Sequence, residues 1–155
     1  MTTTTALRAA TLGLLLAGSA YAQPPGAPPA PEYPPHPDTL PQPGVPQGKV
    51  TQGRHTSRVV FPGVERDYWV YVPAQLDPKK PACLMVFQDG TGYQSATGPW
   101  KVPTVFDNLI HKKQMPVTVG LFVNPGVLPA TGPDALPRQN RSFEYDGLGN
   151  DYARY

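Results

Sequence analysis

Apolar and polar positions divide the sequence into short strand-like runs that follow a proline-rich stretch. Residues 65–72 alternate partly and are rich in β-branched and aromatic side chains, which is typical of a strand. Residues 58–61 form a shorter run of the same kind, and Pro62-Gly63 between the two runs is a turn dipeptide. The pattern predicts that these two runs form an antiparallel hairpin.

Two later runs, residues 82–87 and 116–123, are apolar at nearly every position, which is typical of strands covered on both faces. Between them, residues 102–114 have apolar positions at helical spacing, with Pro103 suited to a first turn. A strand-helix-strand unit requires parallel strands. The expected fold class is therefore α/β, with an antiparallel hairpin that leads into a parallel sheet. Residues 146–155 are expected to begin another helix.

The N-terminal 22 residues have the three parts of a cleavable signal peptide. Arg8 supplies the positive charge, residues 9–18 are apolar, and Ala20-Tyr21-Ala22 has the small-x-small pattern of a cleavage site. An uncleaved anchor is the alternative, but the apolar stretch is well short of the ~20 residues that span a bilayer. The sequence predicts an exported protein, periplasmic or extracellular, with no integral membrane segment in the mature chain.

Proline, glycine and alanine dominate residues 23–47, which hold almost no aliphatic side chain. Such a composition favours an extended or disordered spacer over a packed domain. A ligand for a proline-recognition domain is the alternative. Residues 48–155 have the composition of a globular domain.

Charge and cysteine content exclude some classes of protein. The chain has 13 Lys and Arg against 11 Asp and Glu, so its near-neutral charge gives no electrostatic indication of nucleic-acid binding. Cys83 is the single cysteine, so the chain cannot form an internal disulfide. Because it lies in an apolar run, Cys83 is expected to be a small buried side chain.

The sequence contains no complete set of catalytic residues. None of its serines lies in a G-x-S-x-G motif, and no histidine pair or cysteine pair has metal-ligand spacing. The glycines form neither common phosphate-binding loop. We therefore expect no cofactor and no metal.

The loop after the first apolar run is the strongest candidate for a site. The run leads directly into Gln88, Asp89, Gly90 and Thr91. In open α/β sheets ligands bind beyond the carboxyl ends of the strands, and in hydrolases of this class a loop here donates a backbone N–H to the oxyanion hole. An ordinary strand-ending turn, which Asp-Gly forms readily, is the alternative.

Several segments, in their order along the chain, resemble a family of secreted esterases that includes enterochelin esterases and esterase D. These segments are residues 66–73, 85–90, 105–110, 115–117 and 140–146. The resemblance covers most of residues 48–155. It implies an α/β-hydrolase fold and ester hydrolysis by a Ser-His-Asp mechanism.

The resemblance also implies that the nucleophile, the acid and the histidine would lie beyond Tyr155. By the resemblance, only the residues of the oxyanion-side loop, Gln88, Asp89, Gly90 and Thr91, are candidate catalytic residues in this chain. We therefore expect the 155-residue chain to be the front part of the domain, inactive alone, with an open edge at the strand of residues 116–123.

Further side chains are expected near the candidate loop. Arg141 and Glu144 are expected to form a structural ion pair or a wall on the substrate side. Tyr93 and Trp100 are expected to pack in the domain, with the mouth of a pocket as the alternative.

The substrate would be a small-molecule, siderophore or glycan ester. Two alternatives stay open at this point. One is a non-enzymatic exported binding module on a proline-rich tether, and the other is a lactonase or glycan-ester hydrolase of the same fold.

Overall fold

The computed structural model describes residues 33–154, so the predicted signal peptide and the first part of the predicted spacer lie outside the described residues. The strands are β1 (Lys49–Thr56), β2 (Glu65–Val72), β3 (Cys83–Gln88), β4 (Thr118–Val123), β5 (Val127–Leu128) and β6 (Arg138–Gln139). The α-helices are α1 (Thr91–Gln94), α2 (Val102–His111) and α3 (Arg141–Tyr145), and short 3-10 helices cover Pro37–Thr39 and Tyr152–Arg154. Among the helices of residues 33–154, none has the length and hydrophobicity needed to span a bilayer.

The strands form one mixed sheet in which β4 lies between β2 and β3. β1 and β2 pair antiparallel along their full length, and β2 pairs antiparallel with β4. β3 and β4 pair in parallel, from Cys83 opposite Thr118 to Gln88 opposite Val123. α2 connects these two parallel strands along the chain. The predicted α/β class, with an antiparallel hairpin and a parallel strand pair, is confirmed at this level.

The core lies between the sheet and α2. Its buried members are Tyr71, Val102, Phe106, Ile110 and Phe122. The Tyr71 hydroxyl donates a 2.7 Å hydrogen bond to Asp107 on α2. Burial, together with this carboxylate, raises the pKa of Tyr71 well above its ordinary value, so the phenol stays protonated. This bond satisfies a polar group inside the core and fixes the position of α2 on the sheet.

The hairpin prediction is right in kind and wrong in position. The partner of β2 is Lys49–Thr56, and residues 57–64 form the connection between the two strands. Phe61 and Gly63 both have positive φ, at 52° and 80°, which interrupts an extended run. β1 is mostly exposed and polar, so it carried no apolar alternation that could have identified it.

The position of β3 corrects the expectation of a buried central strand. Within residues 33–154, β3 pairs only with β4 and forms an edge of the sheet, with Leu84 64% exposed and Val86 53% exposed. Cys83, predicted to be buried, is also exposed. The open edge predicted for β4 is likewise wrong, because β4 has a neighbour on both sides. The hydropathy of a segment shows that a strand is apolar. It does not show which strand lies beside it in the sheet.

Part of the segment predicted to be a spacer makes specific contacts. Asp38 is buried, and its backbone carbonyl, like that of Leu40, accepts a 2.9 Å hydrogen bond from the Asn108 side chain of α2. Lys112, which directly follows α2, forms an ion pair with the Asp38 carboxylate. The described end of this segment therefore packs against α2, through polar contacts that composition does not reveal.

The last described residues also differ from the prediction. The helix expected from residue 146 onwards is absent from residues 146–151, and a 3-10 turn covers Tyr152–Arg154. The preceding helix, α3, lies at Arg141–Tyr145. α3 contributes two charged side chains that organise the region described next.

Candidate functional site

The parallel strands β3 and β4 end side by side, and the loops that follow them meet. Gln88, the last residue of β3, is opposite Val123, the last residue of β4. Immediately beyond, Thr91 and Asn124 are joined: the Thr91 N–H donates to Asn124 Oδ1 at 2.9 Å, and their side chains are also hydrogen-bonded. The sequence-predicted loop thus lies at the carboxyl edge of a parallel strand pair, where α/β proteins bind ligands.

Asp89 has the backbone conformation of a tight strand-to-helix turn. Its φ is 54°, in the left-handed region, where aspartate is tolerated more readily than most residues. Its carboxylate accepts two hydrogen bonds from the Arg141 guanidinium of α3, at 2.9 and 2.7 Å. The Arg141 hydrogen bonds hold the pKa of Asp89 below its ordinary value. The ion pair ties the loop to α3.

Gly90 is required by the close approach of the loop to β4. A Cβ placed on Gly90 would lie 2.5 Å from the backbone carbon of Phe122 and 2.5 Å from the nitrogen of Val123. The Gly90 N–H donates to the Val123 carbonyl at 3.1 Å and extends the pairing of the sheet. A larger residue would push the loop away from the strand ends.

The backbone N–H groups of the loop differ in how readily they can reach a ligand. Those of Gly90 and Gly92 donate to backbone carbonyls. That of Thr91 donates to a side-chain atom, Oδ1 of the half-buried Asn124, whose amide group is also hydrogen-bonded to the Thr91 hydroxyl. Among Gly90, Thr91 and Gly92, Thr91 is therefore the residue whose N–H has a side-chain acceptor, which can move without a change in the backbone. Asn124 was not among the predicted site residues, although its position directly after a parallel strand is a usable signal.

Gln88 and the nearby aromatic side chains complete the surroundings. The side chain of Gln88 is exposed. Tyr93 and Trp100 stack with ring centroids 5.6 Å apart, and Tyr93 in turn contacts Phe87 at 5.3 Å. Trp100 is 58% exposed, so this stack runs from the core to the surface beside the loop.

Arg141 and Glu144 do not form the pair that the sequence suggested. Arg141 binds Asp89, and Glu144 binds Arg66 of β2 through two 3.0 Å hydrogen bonds. Glu144 also accepts hydrogen bonds from the Gly126 N–H and the Asn140 side chain. This buried network fixes α3 against the sheet, and α3 in turn positions Arg141 over the loop.

Chemically, the arrangement offers hydrogen-bond donors and a charged pair. Within residues 33–154, no cluster of His, Cys, Asp or Glu has the geometry to hold a metal ion. Two of the serines have local contacts: Ser57 is buried and bonds to the Val60 carbonyl, and Ser95 bonds within its own loop. The region is suited to orienting a polar oxygen of a ligand.

Comparisons with known proteins gave matches among solved structures only. No protein-family model and no curated protein matches the chain. A feruloyl esterase of the anaerobic fungus Anaeromyces mucronatus, solved without substrate, is 20% identical, with a TM-score of 0.49 over 64% of this chain and 38% of that one. The feruloyl esterase module of Clostridium thermocellum, an S954A mutant complexed with sinapinate, is 19% identical, with a TM-score of 0.45 over 69% of this chain and 36% of that one. The chain thus spans less than half the length of these proteins. Neither is an enterochelin esterase, and that resemblance remains a prediction.

Proposed function

We propose that the chain carries the oxyanion-side part of an exported carboxylic-ester hydrolase, with the loop Asp89–Thr91 at the carbonyl oxygen of the substrate. The observation that carries the proposal is the placement of this loop. It leaves the carboxyl end of β3 beside the end of β4 and exposes a backbone N–H whose acceptor is a rotatable side chain. A donor so placed stabilises the negative charge that develops on an ester carbonyl.

The ion pair between Asp89 and Arg141 supports the same proposal. It joins the turn at Asp89, whose φ is 54°, to Arg141 of α3. Preorganised donors are effective because they need no reorganisation when the oxyanion forms. We take this arrangement as support for a hydrolase, and the non-enzymatic binding module stays the alternative that the experiments below test. The choice among siderophore esters, glycan esters and lactones remains a prediction from the sequence.

We also propose that the 155-residue chain does not turn over esters, because its sequence contains no serine in a G-x-S-x-G motif to act as the nucleophile. Release of p-nitrophenol from p-nitrophenyl acetate should equal that of an unrelated protein. Turnover above this control that a serine-directed inhibitor abolishes would contradict the proposal. Reading the gene beyond the codon for Tyr155 tests the parent activity: a G-x-S-x-G elbow within a few tens of residues supports an esterase, and its absence supports the binding module.

Binding tests the site independently of turnover. We expect 4-nitroacetophenone, an uncharged ketone that keeps the carbonyl oxygen and cannot be hydrolysed, to shift the amide NMR signals of residues 89–92. Gly132 is a suitable reference, because its surroundings are open and it lies outside the loop. Shifts that spare residues 89–92, or that spread equally to Gly132, would contradict the proposed site.

Export is the remaining part of the proposal. We propose that residues 1–22 direct the chain out of the cytoplasm and are removed. Expression in a Gram-negative host should give a periplasmic or extracellular product whose N-terminal residue is Gln23. A product that keeps Met1 and stays in the cytoplasm would contradict it.

A further inference from the structure

A concave region lies on the same edge of the sheet as the candidate loop. It has a volume of about 710 Å³ and is lined by residues 54–60 and Arg154. We call it the arginine cavity. Thr56 of β1 pairs with Glu65 of β2, and Tyr68 of β2 pairs with Val123 of β4, so the cavity and the loop after β3 are separated by the width of the intervening strands.

The charges of the arginine cavity set it apart from the rest of the described surface. Arg54, Arg58 and Arg154 all line it, and no aspartate or glutamate does. Arg54 already has acidic partners on β2: it binds Asp67 at 2.9 Å and lies 3.8 Å from Glu65. Arg58 and Arg154 carry the uncompensated charge of the cavity.

The other arginines of residues 33–154 are all engaged. Arg66 and Arg141 have carboxylate partners, and Arg138 contacts Asn140 and the ring of Phe143. Within residues 33–154, Arg58 and Arg154 are the arginines whose side chains make no such contact, and both line one cavity. Cations gathered without a counter-ion repel one another, and a bound anion reverses this effect.

The loop that presents Arg58 is held by its own hydrogen bonds. Ser57 is buried, its hydroxyl donates to the Val60 carbonyl, and its N–H donates to the Val64 carbonyl at 2.8 Å. The Gly63 N–H returns to the Ser57 carbonyl at 2.9 Å. Arg58 therefore lies on a loop that its own hydrogen bonds already hold in place. Binding of a ligand would then cost little conformational entropy in the backbone of this loop.

We propose that the arginine cavity binds a multivalent oxyanion, a ligand with two or more phosphate, sulfate or carboxylate groups that Arg58 and Arg154 contact together. The guanidinium presents paired N–H donors that match the oxygens of such groups. The volume of the cavity suits a ligand of several charged groups. The site is separate from the proposed ester site and does not depend on it.

Calorimetric titration of the full chain at low salt tests the proposal, with tripolyphosphate and propane-1,2,3-tricarboxylate as probes. We expect saturable binding of at least one probe, weakened by added sodium chloride. Replacing both arginines, in R58Q/R154Q, should weaken it by about tenfold or more, since each removes a charged hydrogen-bond donor. Binding of one probe alone identifies phosphoryl or carboxylate groups as preferred, and binding of both identifies a general oxyanion site.

The matched control is K79Q/K80Q, which removes two positive charges from an exposed turn between β2 and β3. It should bind the probes as the unaltered chain does. Equal weakening in both double variants would show a general charge effect, and absence of binding of both probes would overturn the proposal. The circular dichroism of R58Q/R154Q should match that of the unaltered chain, because both arginines are exposed.

Discussion

The two ion pairs of α3 have the same bonding pattern and opposite environments. Arg66 and Glu144 form a bidentate pair with side chains 1% and 0% exposed, and Arg141 and Asp89 form one with side chains 53% and 44% exposed. The short helix α3 thus places Glu144 in the interior and Arg141 at the solvent-exposed surface. The buried pair therefore fixes α3 against the sheet, and the exposed pair joins the loop to α3.

The physical reason is solvation. Loss of one partner from the buried pair leaves the other charge without water or a counter-ion, which is strongly destabilising. Loss of one partner from the exposed pair leaves a charge that water and salt accommodate. We therefore expect changes to the first pair to unfold the chain and changes to the second to alter the loop.

Glu144→Ala should have the largest effect. The buried Arg66 would lose both of its hydrogen bonds to Glu144, and the Gly126 N–H and the Asn140 amide would lose their acceptor. We expect a loss of about 3–5 kcal/mol in the free energy of unfolding, or no folded state at all. Urea unfolding followed by circular dichroism measures it, with Asp89→Ala as the exposed counterpart. Equal destabilisation by the two variants would contradict the comparison.

Gly90→Ala should have the next largest effect. The added methyl group would meet the backbone of β4, which cannot yield as a flexible side chain does. We expect a loss of ~1–3 kcal/mol, the usual effect of forcing a group into a packed region. Gly92→Ala is the control, because the nearest atom to its Cβ, on Trp100, is 4.0 Å away. A smaller loss for Gly90→Ala than for Gly92→Ala would show that the loop does not approach β4 as described.

Arg141→Gln should leave global stability nearly unchanged and loosen the loop. Amide hydrogen exchange at Thr91 and Gly92 should become faster, and exchange in β2 should stay as it is. Lys80→Gln, which removes another exposed ion pair with Asp77, is the control and should leave the loop amides unaffected. Unchanged exchange at Thr91 in Arg141→Gln would show that the ion pair does not hold the loop.

The smallest effect is on the titration of Asp89. Its pKa is lowered in the folded chain, chiefly by the Arg141 hydrogen bonds, from an ordinary value of 3.8. The stabilisation is therefore present above about pH 3.8 and is lost as the pH falls through the lower folded value. Carbon NMR of the Asp89 carboxyl should show a midpoint below 3.8 that rises toward it in Arg141→Gln. A midpoint at or above 3.8 in the unaltered chain would contradict the ion pair.

The sequence located several strands and helices correctly, but it did not show which of them lie side by side. Apolar runs located β3, α2 and β4, since continuous hydrophobicity and helical spacing are local signals. That β4 inserts between β2 and β3 depends on the path of the chain in space, so the exposure of Leu84 and Cys83 could not be read from their own segment.

The candidate loop was found because it directly follows a strand. Its partners Arg141 and Asn124 were not paired with it, because contacts between residues 33 to 52 positions apart leave no periodic pattern. For the same reason Glu144 was paired with its sequence neighbour Arg141, and the distant Arg66 was missed.

We expect the Asn124 side chain to control the access of a ligand oxygen to the Thr91 N–H, because Asn124 Oδ1 accepts its hydrogen bond. Asn124→Ala removes the competing acceptor, and Asn124→Asp replaces it with a stronger one. In NMR titrations with 4-nitroacetophenone, we predict that Asn124→Ala binds a few-fold to about tenfold more tightly than the unaltered chain, with Thr91 among the amides that shift most. Asn124→Asp should bind more weakly. Equal affinity in all three proteins, or an unshifted Thr91 amide, would contradict the account.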